Sequence, residues 1–211
     1  MHRFLILAVS ALLTACASTA PSEVSSKSAY EHSVASGSSP MAKTTLEALH
    51  NAEAIPLPVN PGVAVPSWTI TADQPRLDFG SSISNYRVFS LALKKGEHFN
   101  LNVNSRCNNS CLGVSKFAIK PRAMLLDSYG VIIASKPSHA SASLGQMSMG
   151  WEGEAPESGT YYLLVAADNE DIGKTIVIDD VWLNNSPLMS VKVGMNSQSL
   201  DETSAFSNTL R

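Results

Sequence analysis

The sequence predicts an all-β fold: an antiparallel β-sandwich preceded by a short helix and a disordered N-terminal tether. Three observations carry this. Apolar residues recur with period two, most cleanly where Phe99, Leu101 and Val103 alternate with Asn100, Asn102 and Asn104. The apolar runs are short and are separated by turn formers such as Lys94-Lys95-Gly96-Glu97 and Ser128-Tyr129-Gly130. Between Trp68 and Gly194 no stretch carries a sustained helical period.

The chain begins with a segment unlike the rest. His2 and Arg3 form a short basic start, Phe4 to Leu13 is apolar apart from Ser10, and Ala15 is small. These are the parts of a secretory signal, with residues 1–15 removed. The apolar run is about half the ~20 residues a membrane-spanning helix needs. An ordinary cleaved signal would require only the small residue, but here Leu13-Thr14-Ala15 is followed at once by Cys16. That pattern resembles the lipobox of bacterial lipoproteins. It implies that the Cys16 thiol forms a thioether to a diacylglyceryl group and that the chain is held in a membrane by acyl chains. By the same resemblance, Ala17 after the cysteine implies the outer membrane, with the protein facing the periplasm.

The remaining elements follow in order. Residues 16–43 are rich in Ser, Ala and Thr and bury too little to offset their ordering entropy, so they read as a flexible lipoprotein tether. Residues 44–66 hold a short helix, capped by Thr44 or Thr45 and docking Leu46 and Leu49, and then a crossing made extended by Pro56, Pro58, Pro61 and Pro66. The sandwich spans residues 67–194. Its strands are expected at Trp68–Thr71, at Leu77 and Phe79, at Tyr86–Leu93 and at Phe99–Val103. Further strands are expected at Arg122–Asp127 and Val131–Ser135 around a Gly130 turn, then at Met147–Trp151 and Tyr161–Ala167. Thr175–Ile178, Val181–Leu183 and Met189–Val193 complete the set. Met124-Leu125-Leu126 in a row points to burial on both faces. Pro137 to Gly145 reads as a loop, and residues 195–211 as a loose polar tail.

Charge and chemistry exclude more than they assign. Loss of residues 1–15 leaves 14 basic against 18 acidic side chains, a net charge of −4, which offers no footprint for nucleic acid. Cys107 and Cys111 flank the turn formers Asn108-Asn109-Ser110 and are expected to pair as a local disulfide in an oxidising compartment. A zinc site there would need two more ligands at a recognised spacing, and none is present; no metal or cofactor is expected. No Gly-x-Ser-x-Gly elbow occurs, and His32, His50, His98 and His139 read as solvated, so no catalytic residue is assigned. The acidic groups Asp168/Glu170/Asp171 and Asp179/Asp180 read as solvated loop or edge residues rather than a hydrolytic pair.

One resemblance is specific. The run Phe117-Ala118-Ile119-Lys120-Pro121-Arg122-Ala123-Met124-Leu125-Leu126-Asp127 resembles a segment of the maltose-operon periplasmic protein family. So does Gly159-Thr160-Tyr161-Tyr162-Leu163-Leu164-Val165 followed by Asp171-Ile172-Gly173-Lys174-Thr175. The likeness covers about residues 44–185 and departs from the family at the Cys107/Cys111 turn. The strand order is also similar to sandwiches of the pre-peptidase C-terminal type. The first resemblance implies a periplasmic protein associated with maltodextrin uptake; with no catalytic constellation among its residues, the expected role is accessory and non-enzymatic, with carbohydrate or an envelope protein as partner. If a sugar is bound, exposed aromatic rings would stack on it. Among these rings Tyr129, at a hairpin tip, is the one expected in solvent, with Trp151 as a second candidate. A structural envelope protein that docks on a partner, and a glycan-active enzyme using Asp168 or Asp180, are the other readings.

Overall fold

The computed structural model describes residues 31–32, 34–61, 66–108, 117–118, 120–136, 139–143, 146–171, 175–178, 180–183, 186–188, 191–195 and 203–207. Over these the chain runs β1 (Met41–Ala42), α1 (Thr45–Asn51), β2 (Ile55–Pro56), β3 (Arg76–Asp78), β4 (Ile83–Leu93), β5 (His98–Asn108) and β6 (Phe117–Ala118). Then come β7 (Pro121–Leu126), β8 (His139–Ser143), β9 (Gln146–Glu154), β10 (Gly159–Ala167) and a 3-10 turn, Asn169–Asp171. The last strands are β11 (Thr175–Ile178), β12 (Asp180–Leu183), β13 (Ser186–Leu188), β14 (Val191–Met195) and β15 (Thr203–Ser207).

The fold is all-β and sandwich-like. One sheet has the order β1-β3-β4-β10-β7, with β2 also on β4; the other runs β11-β14-β6-β5-β9-β8-β12-β13, with β15 on β5. The long central ladders, β4/β10/β7 and β5/β9/β8, are antiparallel as expected. The pairs β1/β3, β2/β4, β8/β12 and β6/β14 are parallel, so the sheets are mixed. Alternation assigns faces but carries no direction, and these short pairs join segments that no tight hairpin links.

Side-chain parity explains the packing. On β4, Phe89, Leu91 and Leu93 point between the sheets, where they meet Phe99, Leu101 and Val103 of β5 and Tyr161, Leu163 and Val165 of β10. The alternate residues Tyr86 and Val88 join Leu126, Leu164 and Ala166 in a second cluster on the other face of the first sheet. Met124-Leu125-Leu126 is therefore buried on both sides, Leu125 inward and Leu126 outward. Helix α1 covers the outer cluster. Thr44 caps it by accepting from Glu47 N (3.2 Å), while the Glu47 carboxylate accepts from Lys43 N (2.8 Å). The helix docks through Ala48, which is fully buried, with Leu49 only partly so and Leu46 exposed. Of the expected pair, Leu49 docks on the outer cluster while Leu46 stays exposed, and Ala48 is the fully buried contact.

Tyr86 ties helix to sheet. It is fully buried and its hydroxyl donates to Ala48 O (2.8 Å). Burial pushes its phenol pKa up to about 12. The folded state therefore keeps a proton that the unfolded chain loses near pH 10, so this contribution is complete below pH 10 and is lost between pH 10 and 12. Stability should fall there by about 1.4 kcal/mol per pH unit beyond the slope of Tyr86→Phe, as read by urea melts.

Five sequence expectations change. The tether does not extend to residue 43: the chain is helical at 34–35, Val34 and Ser39 are buried, and Met41–Ala42 is a strand. The buried Arg76 guanidinium holds this strap by donating to Val34 O, Ala35 O (3.2 Å) and Ser39 O (2.6 Å). The 195–211 tail supplies β15, antiparallel to β5 from Thr203 to Ser207. Trp68–Thr71 is not a ladder strand, although Ile70 is buried and Trp68 packs edge-on against Phe89 at 4.8 Å. Val131–Ser135 makes one bridge, Ile132 to Leu126, rather than a strand. Part of the Pro137–Gly145 loop is β8, because its small residues pair on β9. Composition hid the strap and the tail, whose apolar residues are few and rely on partners far along the chain.

Candidate functional site

The cleft of interest lies at one end of the β5/β9 ladder. Register places His98 opposite Glu154, Phe99 opposite Gly153 and Asn100 opposite Glu152. Phe99 turns into the core, so His98, Asn100, Glu152 and Glu154 stand on the outer, wet face. After β7 the chain plugs Ile133 into the inter-sheet core, with Ile133 N donating to Leu125 O (2.8 Å). It then runs beside β9, where Lys136 N donates to Glu152 O (2.7 Å). This rail and the strand ends enclose about 350 Å3 lined by His98, Phe99, Asn100, Lys136, Glu152, Gly153 and Glu154. Gly153 is required there. A Cβ on it would run into the Phe99 ring and lie 2.9 Å from Ala134 O.

The polar groups of the cleft are linked but loosely held. Lys136 Nζ is 3.5 Å from Glu152 Oε2, Asn100 donates to Glu152 Oε1 (3.3 Å), and Asn102 donates to Asn100 Oδ1 (2.8 Å). His98 Nε2 is 3.8 Å from Glu154 Oε2. Farther along the same face Ser148 donates to Asn104 Oδ1 (2.7 Å). The His98 and Lys136 side chains are 74% and 77% exposed. Such pairs contribute about 0–1 kcal/mol each and exchange readily for a ligand's groups. The face thus offers amide and ammonium donors beside carboxylate and amide acceptors.

The predicted site residues separate. Tyr129 is 78% exposed at its hairpin tip, as expected. Trp151 is half-buried, lies opposite the fully buried Leu101, and packs against the inter-sheet cluster. Parity with Met147 and Met149 turns it toward the inter-sheet core. Cys107 is the penultimate residue of β5, but its side chain, Cys111 and Cys16 lie outside the described residues, as does the expected bridge.

The acidic loop is not simply solvated. The Asp168 carboxylate is 10% exposed, 2.9 Å from Lys120 Nζ and 3.0 Å from Arg122 Nη2; Arg122 also holds Glu170 at 2.5 Å. Arg122 lies over the Phe79 ring at 4.8 Å, and Ser81 donates to Glu170. These groups staple the end of the first sheet. Among the described residues no set of three His, Cys, Asp or Glu side chains is placed to hold a metal ion. The sequence reading missed Lys136 and Glu152. Their only signal was alternation, and that names a face without naming the strand beside it.

No protein-family model, no curated protein and no solved structure matches this chain. No helix among the described residues is long and apolar enough to cross a membrane.

Proposed function

We propose that this chain is a lipid-anchored envelope protein, held at the outer membrane through Cys16, whose sandwich binds carbohydrate at the β5/β9 cleft without turning it over. The role is accessory to sugar uptake, as the resemblance to the maltose-operon periplasmic family implies. The observation that carries the reading is the wet face of Asn100, Asn102, Glu152 and Lys136, which sets donors and acceptors side by side at the spacing of a β-ladder. Sugar hydroxyls both donate and accept, so they match such a face better than an anion or a cation would.

Titration with linear maltodextrins tests this. At about a hundred times Kd a bound sugar stabilises the fold by roughly 2.7 kcal/mol, which raises Tm by about 5–10 °C. The shift should vanish in Asn100→Ala/Glu152→Gln. No shift with any member of a broad glycan panel overturns the reading. Anchoring is checked separately by the intact mass of the native product, which should lack residues 1–15 and carry acyl chains on Cys16.

A further inference from the structure

The β5/β9 cleft ends at turns on one side and continues along the strands on the other. At the His98 and Glu154 end the ladder stops at two turns tied together. Gly96 N donates to Ala155 O (2.8 Å), Ala155 N donates to Glu97 O (2.9 Å), and Lys95 pairs with Glu157 (2.8 Å). In the other direction the ladder runs on, with Asn102 opposite Gly150, Asn104 opposite Ser148 and Arg106 opposite Gln146. Leu101 and Val103 are fully buried, so Asn102 and Asn104 stand on the same outer face as Asn100. Asn102 is joined to the cleft by donating to Asn100 Oδ1 (2.8 Å), and Ser148 donates to Asn104 Oδ1 (2.7 Å). Gly150 has no side chain, so β9 puts nothing on that face between Glu152 and Ser148.

We infer that the ligand of this cleft is a linear, uncharged oligosaccharide longer than a disaccharide, lying along the strands from Glu154 to Asn104. The inference rests on the reading that the cleft takes carbohydrate. Length follows from strand geometry. The rise from His98 to Asn104 spans about 20 Å at ~3.4 Å per residue, more than a disaccharide covers. Charge follows from what the track carries. Between Glu152 and Arg106 the outer side chains of β5 and β9 are amides and a hydroxyl, which both donate and accept, as sugar hydroxyls do. A charged polymer would lose hydration there with no opposite charge to replace it. Main-chain pairing argues against a peptide that adds as a strand. β5 is paired over Leu101–Ser105 by both β9 and β15, and β9 over Gln146–Gly150 by both β5 and β8. Neither strand therefore offers an open edge along the track.

The test is calorimetric titration of the native protein with maltose, maltotriose and maltohexaose, and with the matching cello-oligosaccharides. In the series that binds, the hexasaccharide should bind at least tenfold more tightly than the disaccharide. In Asn104→Ala/Ser148→Ala the two should come within about twofold of each other, because the far end of the longer chain has lost its partners. Equal affinity for the two lengths in the unsubstituted protein overturns the track and leaves the cleft standing. A length gain that survives in the double variant also overturns it, since the longer chain then leaves the cleft by another route. Where the variant does not fold, the length dependence of the unsubstituted protein decides. Binding of neither series overturns the inference as well, and the wider glycan panel then decides whether the cleft takes any sugar.

Discussion

Gly130→Ala is expected to destabilise the protein by about 3 kcal/mol, measured as a lowered urea midpoint at unchanged slope. Two costs add. Gly130 has φ +76, in the left-handed region where a Cβ is disfavoured by roughly 1–2 kcal/mol. The new methyl would also lie 2.6 Å from Leu46 N and 2.8 Å from Leu46 Cα, both backbone atoms that cannot swing aside. Relief requires α1 to move off the sheet, exposing Ala48 and parting Tyr86 from its carbonyl. Gly80→Ala is the control. Its φ of +84 is as unfavourable, but no atom lies within 4 Å of the added methyl, so only the conformational cost of about 1 kcal/mol should appear. Equal losses in the two variants would show that helix and hairpin are not in close contact.

Arg76→Met should release the strap with a loss of about 3 kcal/mol. Arg76 is 6% exposed, and its guanidinium serves the carbonyls of Val34, Ala35 and Ser39. Methionine keeps much of the stem but supplies no donor, leaving Ser39 O without the guanidinium and Val34 O with only the long contact from Gly37 N (3.4 Å), at roughly 1–3 kcal/mol for a buried carbonyl left unpaired. Protease cleavage between residues 34 and 42 should accelerate at least tenfold under native conditions, since the strap can open without unfolding the sandwich. Arg76→Lys should recover part of the protection, because one ammonium reaches fewer of the carbonyls than a planar fork. Unchanged cleavage in Arg76→Met would mean that the strap is held by Val34 and Ala42 alone.

Much of the framework was legible because alternation maps directly onto faces. Phe99, Leu101 and Val103 against Asn100, Asn102 and Asn104 read as one buried and one wet row, and that is how β5 sits. Thr44 or Thr45 read as the helix cap, and Thr44 caps α1. The misses share one cause. Val34, Arg76 and Thr203–Ser207 carry little local signal, and their conformations come from partners dozens of residues away. The cleft was hidden for the same reason, since Lys136 and Glu152 meet only once the chain has crossed from one sheet to the other.

By itself, then, the sequence determined where the long central strands run, which side of each is apolar, where α1 begins, and that the chain opens with an apolar run leading to Cys16. Those follow from interactions within a few residues. Tertiary structure alone decided the parallel pairings, the docking of α1 through Ala48 and the meeting of Leu46 with the Gly130 tip. Each depends on strand partner and sheet separation, and a periodic pattern is equally satisfied by many partners until close packing selects one.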